Sequence, residues 1–556
     1  MIDIDLPVGK RTLKYRLLEM LPAFLSYGAL LLLVILSMIS PTIAAVYLMA
    51  VIVTLLVKAI GIAFRTIQGQ KRLEHAEKIN WNKRLSDLED PEKSYENALN
   101  NMPSEYGAVS HVENLRLLSA DPESYPKPSH IYNAVIIATY NETYEVLAQT
   151  IKSVMHSTYD NNRIILTLAY EERGGEPTRQ TAIRLQKDFG DKFFVFHLVE
   201  HPDGLPDEVK GKGSNITYAG KYLKKYLKKE GIQSKNVIVT TLDSDNRPFK
   251  SYFDYLTYEY IVHIERKHLS YQPVCLFFSN IWDAPAPMRV IATGNSFWNI
   301  ISSMRPHTLR NFASHSQSMD ALEEMNFWST RTIVEDGHQY WRSYFYFNGN
   351  YTVLPIYVPI YQDAVLSHTF FKTLKAQFIQ LRRWAYGASD IPYVAERVLD
   401  RNRNVPLLGG LARLFRLIDG HVTLASVSIL AAVGGWVPLL VNPEAARSIP
   451  AHQLPDVISI IQQVALIGIF VTVFLSFKML PPRPERYKRT RNFWMLAQWV
   501  LMPVTAIVYS STAALYSQGR LFLGLYLDKF DVTDKATHET VAQAKRDRES
   551  IFKIKK

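Results

Sequence analysis

Several stretches of this chain carry no charged side chain for 20 residues or more, among them residues 20–40, 422–441 and 457–477. As a helix, each is long enough to cross a hydrocarbon layer about 30 Å thick, which takes about 20 residues. Residues 41–57 are also uncharged, and that run reaches Phe64 with only Lys58 added. One such stretch would fit a buried core helix. Four of them, two adjacent near the start, predict membrane-spanning helices and argue against a cleaved leader. The mean hydropathy of −0.06 hides this segregation, because a long polar middle separates the apolar segments.

Charge placement orients the segments. Lys10, Arg11, Lys14 and Arg16 precede the first run, and Arg65, Lys71 and Arg72 follow the second. "KMLPPRPERYKRTR", residues 478–491, follows the fourth with a single glutamate among its basic residues. The loop "NPEAARSIPAHQLPD" has one arginine. Short loops rich in Lys and Arg stay on the cytoplasmic side. The N-terminus, the long middle and the 478–491 loop are therefore expected there, in a plasma (inner) membrane. The net charge of +11 is thus a membrane signature, and no nucleic acid partner is expected. The single cysteine, Cys275, excludes an internal disulfide and a thiolate metal cluster.

Between the spans the pattern changes. NAVIIAT, IILTLAY, FFVFHLV, NVIVTTL and VCLFFS are near-continuous apolar runs bounded by turn residues, as in strands buried on both faces. Helix-periodic segments at 145–155, 177–189 and 215–229 lie among them, which predicts a mostly parallel, doubly wound α/β sheet. The expected organisation is an N-terminal transmembrane pair (1–66), a charged connector (67–130), a catalytic domain (131–364) and interfacial helices (365–418). C-terminal transmembrane helices (419–527) and a cytoplasmic tail (528–556) follow.

Such sheets bind ligands at the carboxyl ends of their strands. The first strand ends in "ATYNE", the second in "YEER", and NVIVTTL delivers Asp243 and Asp245 of "LDSD" to the same edge. An Asp-x-Asp pair there suits Mg²⁺ or Mn²⁺ beside a diphosphate; the residues alone also fit an acidic turn before Pro248. "RTIVEDGHQYWRSYF" places Glu335 and Asp336 at a helix start, where a carboxylate can take a proton or simply complement the helix dipole. In "QFIQLRRWAYG", Gln380, Arg383 and Trp384 share a helix face suited to a sugar and a phosphate, or to anchoring at a membrane surface.

The ordered set "ATYNE", "LDSD", "VED" and "QLRRW", with spans on both sides, resembles the membrane-integrated family 2 glycosyltransferases, the group of cellulose, chitin and hyaluronan synthases. The resemblance covers roughly residues 133–535. It implies a GT-A, Rossmann-like catalytic domain inserted between transmembrane helices. It implies inverting, metal-dependent transfer from a nucleotide-diphosphate sugar, UDP-linked in most such enzymes, to a growing β-linked polysaccharide that is translocated. Carried over by position, Thr139, Tyr140, Glu142, Glu171, Lys212, Asp243 and Arg383 are implied to bind the donor. Asp245 and Asp243 are implied to hold Mg²⁺ or Mn²⁺, and Asp336 to be the general base. Gln380, Trp384 and Glu335 are implied to face the acceptor. "FDVTDK" matches the family's gating loop through Phe530, Val532, Thr533 and Lys535.

The chain also departs from the pattern. Glu171 and Glu172 stand where an aspartate is usual, Val334 stands for a threonine, and "FASHSQSM" replaces a stretch often rich in glycine. For the gating loop to meet the site, the uncharged run 492–519 must return to the side it left. Pro503 and the 510–512 stretch are expected to break it into a short re-entrant pair, giving about six passages and a cytoplasmic C-terminus. Transfer of one sugar to a membrane lipid, as in ceramide glucosyltransferase-like relatives, is the alternative activity. A nucleotide-sugar-binding scaffold is the non-enzymatic one. Accessory subunits stay open.

Overall fold

A computed structural model describes residues 4–7 and 9–527. The "FDVTDK" motif, with Phe530, Val532, Thr533 and Lys535, lies outside the described residues.

Eight strands form one sheet: β1 (Tyr132–Thr139), β2 (Ile164–Glu171), β3 (Val195–His201), β4 (Val237–Asp243), β5 (Arg247–Pro248), β6 (Leu269–Leu276), β7 (Ser316–Ser318) and β8 (Thr352–Tyr361). Their order is β3-β2-β1-β4-β7-β6-β8-β5. β3, β2, β1 and β4 are parallel, joined by the helices Tyr144–Met155, Gly175–Phe189 and Lys212–Glu230. Alternate residues of β1 feed two cores. Val135 and Ile137 pack with Leu147, Ile151 and Leu185, whereas Ala134 and Ile136 pack with Ile216, Ala219 and Leu223. That two-sided burial is why the strand reads as an unbroken apolar run.

The sheet is mixed, which corrects the mostly parallel expectation. β7 runs antiparallel to both β4 and β6, and β5 runs antiparallel to β8. β7 is only Ser-Gln-Ser, so no apolar periodicity announced it. Its buried hydroxyls are paired sideways instead: Ser316 Oγ lies 2.7 Å from Thr240 Oγ1, and Ser318 Oγ lies 2.8 Å from the Tyr260 hydroxyl. A buried polar strand survives because such partners exist.

The apolar segments form long helices. The first, Leu13–Ile39, and the second, Pro41–Lys78, meet at Ser40, whose hydroxyl caps the second beside Pro41. The second helix runs unbroken past residue 66 into the globular part, where Leu73 and Ala76 are buried. The stretch that follows it is also helical, over Trp81–Asp87, Pro91–Asn100 and Ala108–Ala120. Trp81 stacks on Tyr255 at 3.6 Å and ties that stretch to the domain.

Among the described residues, four helices are long and apolar enough to cross a membrane: Leu13–Ile39, Pro41–Lys78, Leu407–Val441 and Thr490–Leu523. The uncharged stretch 457–477 also lies within one helix, Ile449–Met479. At the end away from the sheet, Asn442 donates to Ser37 O, and Gly434 lies against Leu48 and Leu33. At the near end Lys478 pairs with Glu74 at 2.6 Å.

The run Thr490–Leu523 differs from the expected broken pair. It stays helical throughout, absorbing Pro503 through a 3₁₀ turn at Gln498–Leu501 and a π-helical stretch at Ala506–Ser511. Length alone would let it span, but its ends do not separate. Arg491 donates to Trp282 O at 2.9 Å, and beyond its far end Leu527 N donates to the Tyr386 hydroxyl at 3.3 Å. Both ends of the run are thus tied to the globular domain, while its middle packs on the apolar helices, Ser511 donating to Leu424 O at 3.1 Å and Leu515 O accepting from the Tyr27 hydroxyl at 3.0 Å.

Candidate active site

The strand register sets the floor of the site. Thr139 pairs with Tyr170, and Ala138 pairs with Asp243, so β1, β2 and β4 end level with one another. At the β1 end the Glu142 carboxylate accepts from Thr139 Oγ1 (2.6 Å) and from the Tyr140 N–H (2.9 Å), folding the ATYNE turn back on itself. At the β2 end Glu171 is buried and ion-paired with Arg173, whose guanidinium lies 4.2 Å from the Tyr140 ring centre. These two strand ends thus share one wall.

The Lys212–Glu230 helix aims its first residue at the same rim. Gly211 takes φ +157°, a backbone state closed to most L-residues, and turns the chain into that helix. A Cβ at Gly213 would meet Ser329 O at 2.5 Å, so only glycine lets the helix start press against the loop ahead of Glu335. The Lys212 ammonium, only 8% exposed, is 2.8 Å from Asp243 Oδ1, 3.0 Å from Asp336 Oδ2 and 3.8 Å from Glu335 Oε1. Burial opposes its charge, but Asp243, Asp336 and Glu335 outweigh that and hold its pKa above the ordinary lysine value. Carboxylates nearly a hundred positions apart in sequence are thereby drawn to one cation.

Glu335 and Asp336 open the Glu335–Tyr346 helix, where a carboxylate also meets the positive end of the helix dipole. Burial, and then the adjacent Asp336, push Glu335 above the usual carboxylate range, partly offset by Lys212 and Arg383. Farther along the helix Arg342 donates to Met325 O (3.0 Å) and also to Phe327 O, so it braces the preceding loop rather than the rim.

Asp245 is buried beside Asp243. Its Oδ2 accepts from the Asp363 N–H at 3.3 Å, and Asp363 pairs with Arg247 at 3.3 Å. Among the described residues no group of three or more His, Cys, Asp or Glu side chains converges as a complete metal cage. The donor set present, two carboxylates one residue apart, still suits a hard divalent cation that takes its other oxygens from a diphosphate and water.

Gln380, Arg383 and Trp384 lie on the Phe370–Ala385 helix. Gln380 Oε1 accepts from Gln377 at 3.2 Å, and Trp384 is 39% exposed with its ring 5.9 Å from Phe277. Arg383 acts electrostatically on Glu335, which links this helix to the acidic cluster.

Two neighbours were not anticipated. His315 is fully buried, its Nδ1 3.0 Å from Phe312 O and 3.5 Å from Asp336 Oδ1. Its Nε2 accepts from the Trp328 indole N–H at 3.0 Å, so the proton of the neutral ring sits on Nδ1, which donates to Phe312 O beside Asp336. Burial holds its pKa below the ordinary 6.5. The signal was a histidine inside "FASHSQSM", invisible without the three-residue strand that follows. Asp363 escaped notice because β8, which delivers it, did not read as a strand.

No protein-family model matches the chain, and no curated protein does. Among solved structures it is similar to the mannosyltransferase PcManGT from Pyrobaculum calidifontis in complex with GDP-Man and Mn²⁺. The identity is 12%, 82% of this chain and 99% of that one are covered, and the TM-score is 0.38. It is also similar to S. aureus TarS, with 10% identity, 70% of this chain and 55% of that one covered, and a TM-score of 0.31. Likeness this distant carries no functional assignment.

Proposed function

We propose that the chain is a membrane-embedded glycosyltransferase with a GT-A, family 2-like catalytic domain. It transfers a sugar from a nucleotide-diphosphate donor, probed first as UDP-sugars, with inversion to a growing β-linked polysaccharide. One observation carries this reading: the Lys212 ammonium joins Asp243, at the end of β4, to Asp336, at the start of a helix nearly a hundred residues later. A lone Asp-x-Asp turn has no need of that convergence.

Asp243 and Asp245 would hold Mg²⁺ or Mn²⁺, which supplies positive charge to a departing diphosphate when bound. The protein's own residues do the rest. Thr139, Tyr140, Glu142 and Glu171 with Arg173 wall the nucleotide end, and Arg383 faces the diphosphate. The Lys212 ammonium is held by carboxylates among the described residues. A diphosphate can draw it away, releasing Asp336. The acceptor hydroxyl oxygen then bonds to the anomeric carbon as its proton passes to the Asp336 carboxylate. The carbon–oxygen bond to the diphosphate breaks, and the electron pair leaves with the phosphate. Glu335, which favours its protonated form, can donate a hydrogen bond to the acceptor. Gln380 and Trp384 would line the acceptor path, and the "FDVTDK" tail would close over the donor.

The proposed topology puts the catalytic domain and both termini on the cytoplasmic face of the plasma membrane. The return of the Thr490–Leu523 run to Tyr386 supports that arrangement. The test is a nucleotide-sugar panel on purified protein, with Mn²⁺ or with chelator. Cation-dependent release of nucleoside diphosphate together with polymer is expected; polymer formed equally well under chelator would sink the metal assignment, and a single glycolipid product would replace the polysaccharide acceptor.

A further inference from the structure

A cavity of about 580 Å³ lies between the Ala286–Ser303 helix and the start of the Thr490–Leu523 run. It contains none of the residues assigned to sugar transfer. Two arginines line it. Arg289 is 2% exposed, and its guanidinium donates to Gln498 Oε1 and, at 2.7 Å, to Ala284 O. Arg491 donates to Trp282 O, while its buried Nε–H has no hydrogen-bond partner among the described residues. Burial and then the Arg491 charge lower Arg289 to about 10, so the two cations oppose each other. The one acid at the cavity, Asp283, is already taken by Arg486 (2.8 Å) and the Tyr487 hydroxyl (2.6 Å).

Two guanidiniums that line one cavity and oppose each other's charge, one with an Nε–H that has no partner among the described residues, are costly unless an anion joins them. The remaining wall is apolar, formed by Ala497, Leu501, Trp494 and Val500. Trp494 and Val500 are 61% and 81% exposed, and they continue onto an apolar outer face with Phe493, Leu496 and Val504. The basic loop 478–491 leads directly into the cavity. Positive charge at the mouth and apolar surface beyond it match an amphiphile with an anionic head.

We propose that this cavity binds an anionic phospholipid of the bilayer, its phosphate between Arg289 and Arg491 and an acyl chain along Trp494, Val500 and Leu501. The site seats the Thr490–Leu523 run against the globular domain. It is independent of the sugar-transfer reading, since it requires only that the outer apolar face meets lipid.

The test uses the purified full-length protein in uncharged detergent, probed by native mass spectrometry and thermal unfolding. Short-chain phosphatidylglycerol, short-chain phosphatidylcholine and inorganic phosphate are added separately. Phosphatidylglycerol should remain bound at one per chain and raise the unfolding midpoint, with a clearly smaller effect from the other two. Arg491→Gln spares the hydrogen bonds of Arg289 and should weaken phosphatidylglycerol binding about tenfold, the loss of one charge-assisted contact, while Arg491→Lys retains more of it. Equal effects of the two lipids, or unchanged binding by Arg491→Gln, would overturn the site. Protection by inorganic phosphate alone equal to that by the lipid would remove the acyl part of the assignment.

Discussion

Lys212 and Lys58 both pair with aspartate, but they sit in opposite settings. Lys212 is buried at the rim of the sheet with Asp243, Asp336 and Glu335 all within 3.8 Å. Lys58 lies on the second apolar helix and pairs with Asp419 of the Leu407–Val433 helix at 3.0 Å, with Thr423 Oγ1 also accepting from it at 3.3 Å. The membrane pair balances one charge with one charge. The rim cluster gathers three acids around one ammonium, with the Arg383 charge acting on Glu335. A balanced pair in an apolar setting acts as a clip between helices. A cluster of several acids around one buried ammonium is held on terms that a further cation or a competing anion can change, which is what a ligand site requires.

The sharpest way to break this contrast is Asp336→Asn. It removes one negative charge and the proposed proton acceptor together, yet keeps the size of the side chain. Transfer should fall by roughly 10²–10⁴-fold, the range for losing a general base, with donor affinity little changed. Product formation near the wild-type rate, measured with labelled donor, would show that the cluster is a structural network and nothing more.

Lys212→Gln should cost somewhat less, about 10²–10³-fold in kcat/KM, as expected for one lost contact to a leaving group. It should also remove the cation that Asp243 and Asp336 share. Mn²⁺ should therefore raise the unfolding midpoint of this variant by more than it raises that of the wild type. An equal shift in both proteins would mean that the carboxylates do not sense the cation.

The membrane pair predicts the reverse pattern, an effect on stability that a second mutation repairs. Lys58→Met leaves Asp419 as a lone charge among apolar helices, at a cost of about 3 kcal/mol for a charge near the bilayer centre and less toward the interface. Lys58→Met with Asp419→Leu should recover most of that loss, and neither should alter donor affinity. If the double variant stays as unstable as the single one, the pair is not an independent clip.

This pair also marks a limit of the sequence. Lys58 stood out there as the lone charge of its run, but Asp419 falls just outside residues 422–441, so the partner was invisible until the helices were packed. The same holds for the sheet. β1 to β4 were legible because each is apolar on both faces and separated by a helix-periodic segment. β7, three polar residues, and β8, with prolines at 355 and 359, carry no such period, and so the antiparallel insertion was missed. The rim residues at 139, 171, 243 and 336 lie beside strong local signals, a strand end or a helix start. His315 and Asp363 owe their place to elements that only tertiary pairing creates. The turn expected at Pro503 failed for a related reason: a proline breaks a helix unless the turn before it relaxes, and the 3₁₀ stretch at Gln498–Leu501 does so.

His315 gives the finest test of the rim. It touches Asp336 through Nδ1 and is held from behind by Trp328, so its proposed part is to position the base, not to exchange protons with substrate. Asparagine reproduces a donor at the Nδ1 position, whereas phenylalanine fills the space and offers none. His315→Asn should keep most activity, and His315→Phe should lose about tenfold in kcat with little change in KM, the loss of the polar N–H that stands beside the Asp336 carboxylate. A purely structural histidine would show no such difference between two variants of equal stability. The pH dependence adds a second readout. Burial lowers the folded pKa of His315, so its contribution to stability is present above the ordinary value of 6.5 and is lost as pH falls toward the lower folded value. The unfolding midpoint of the wild type should therefore drop between pH 7.5 and 5, and the drop should narrow in His315→Asn. An unchanged drop would assign it to other groups and leave His315 as packing around Asp336.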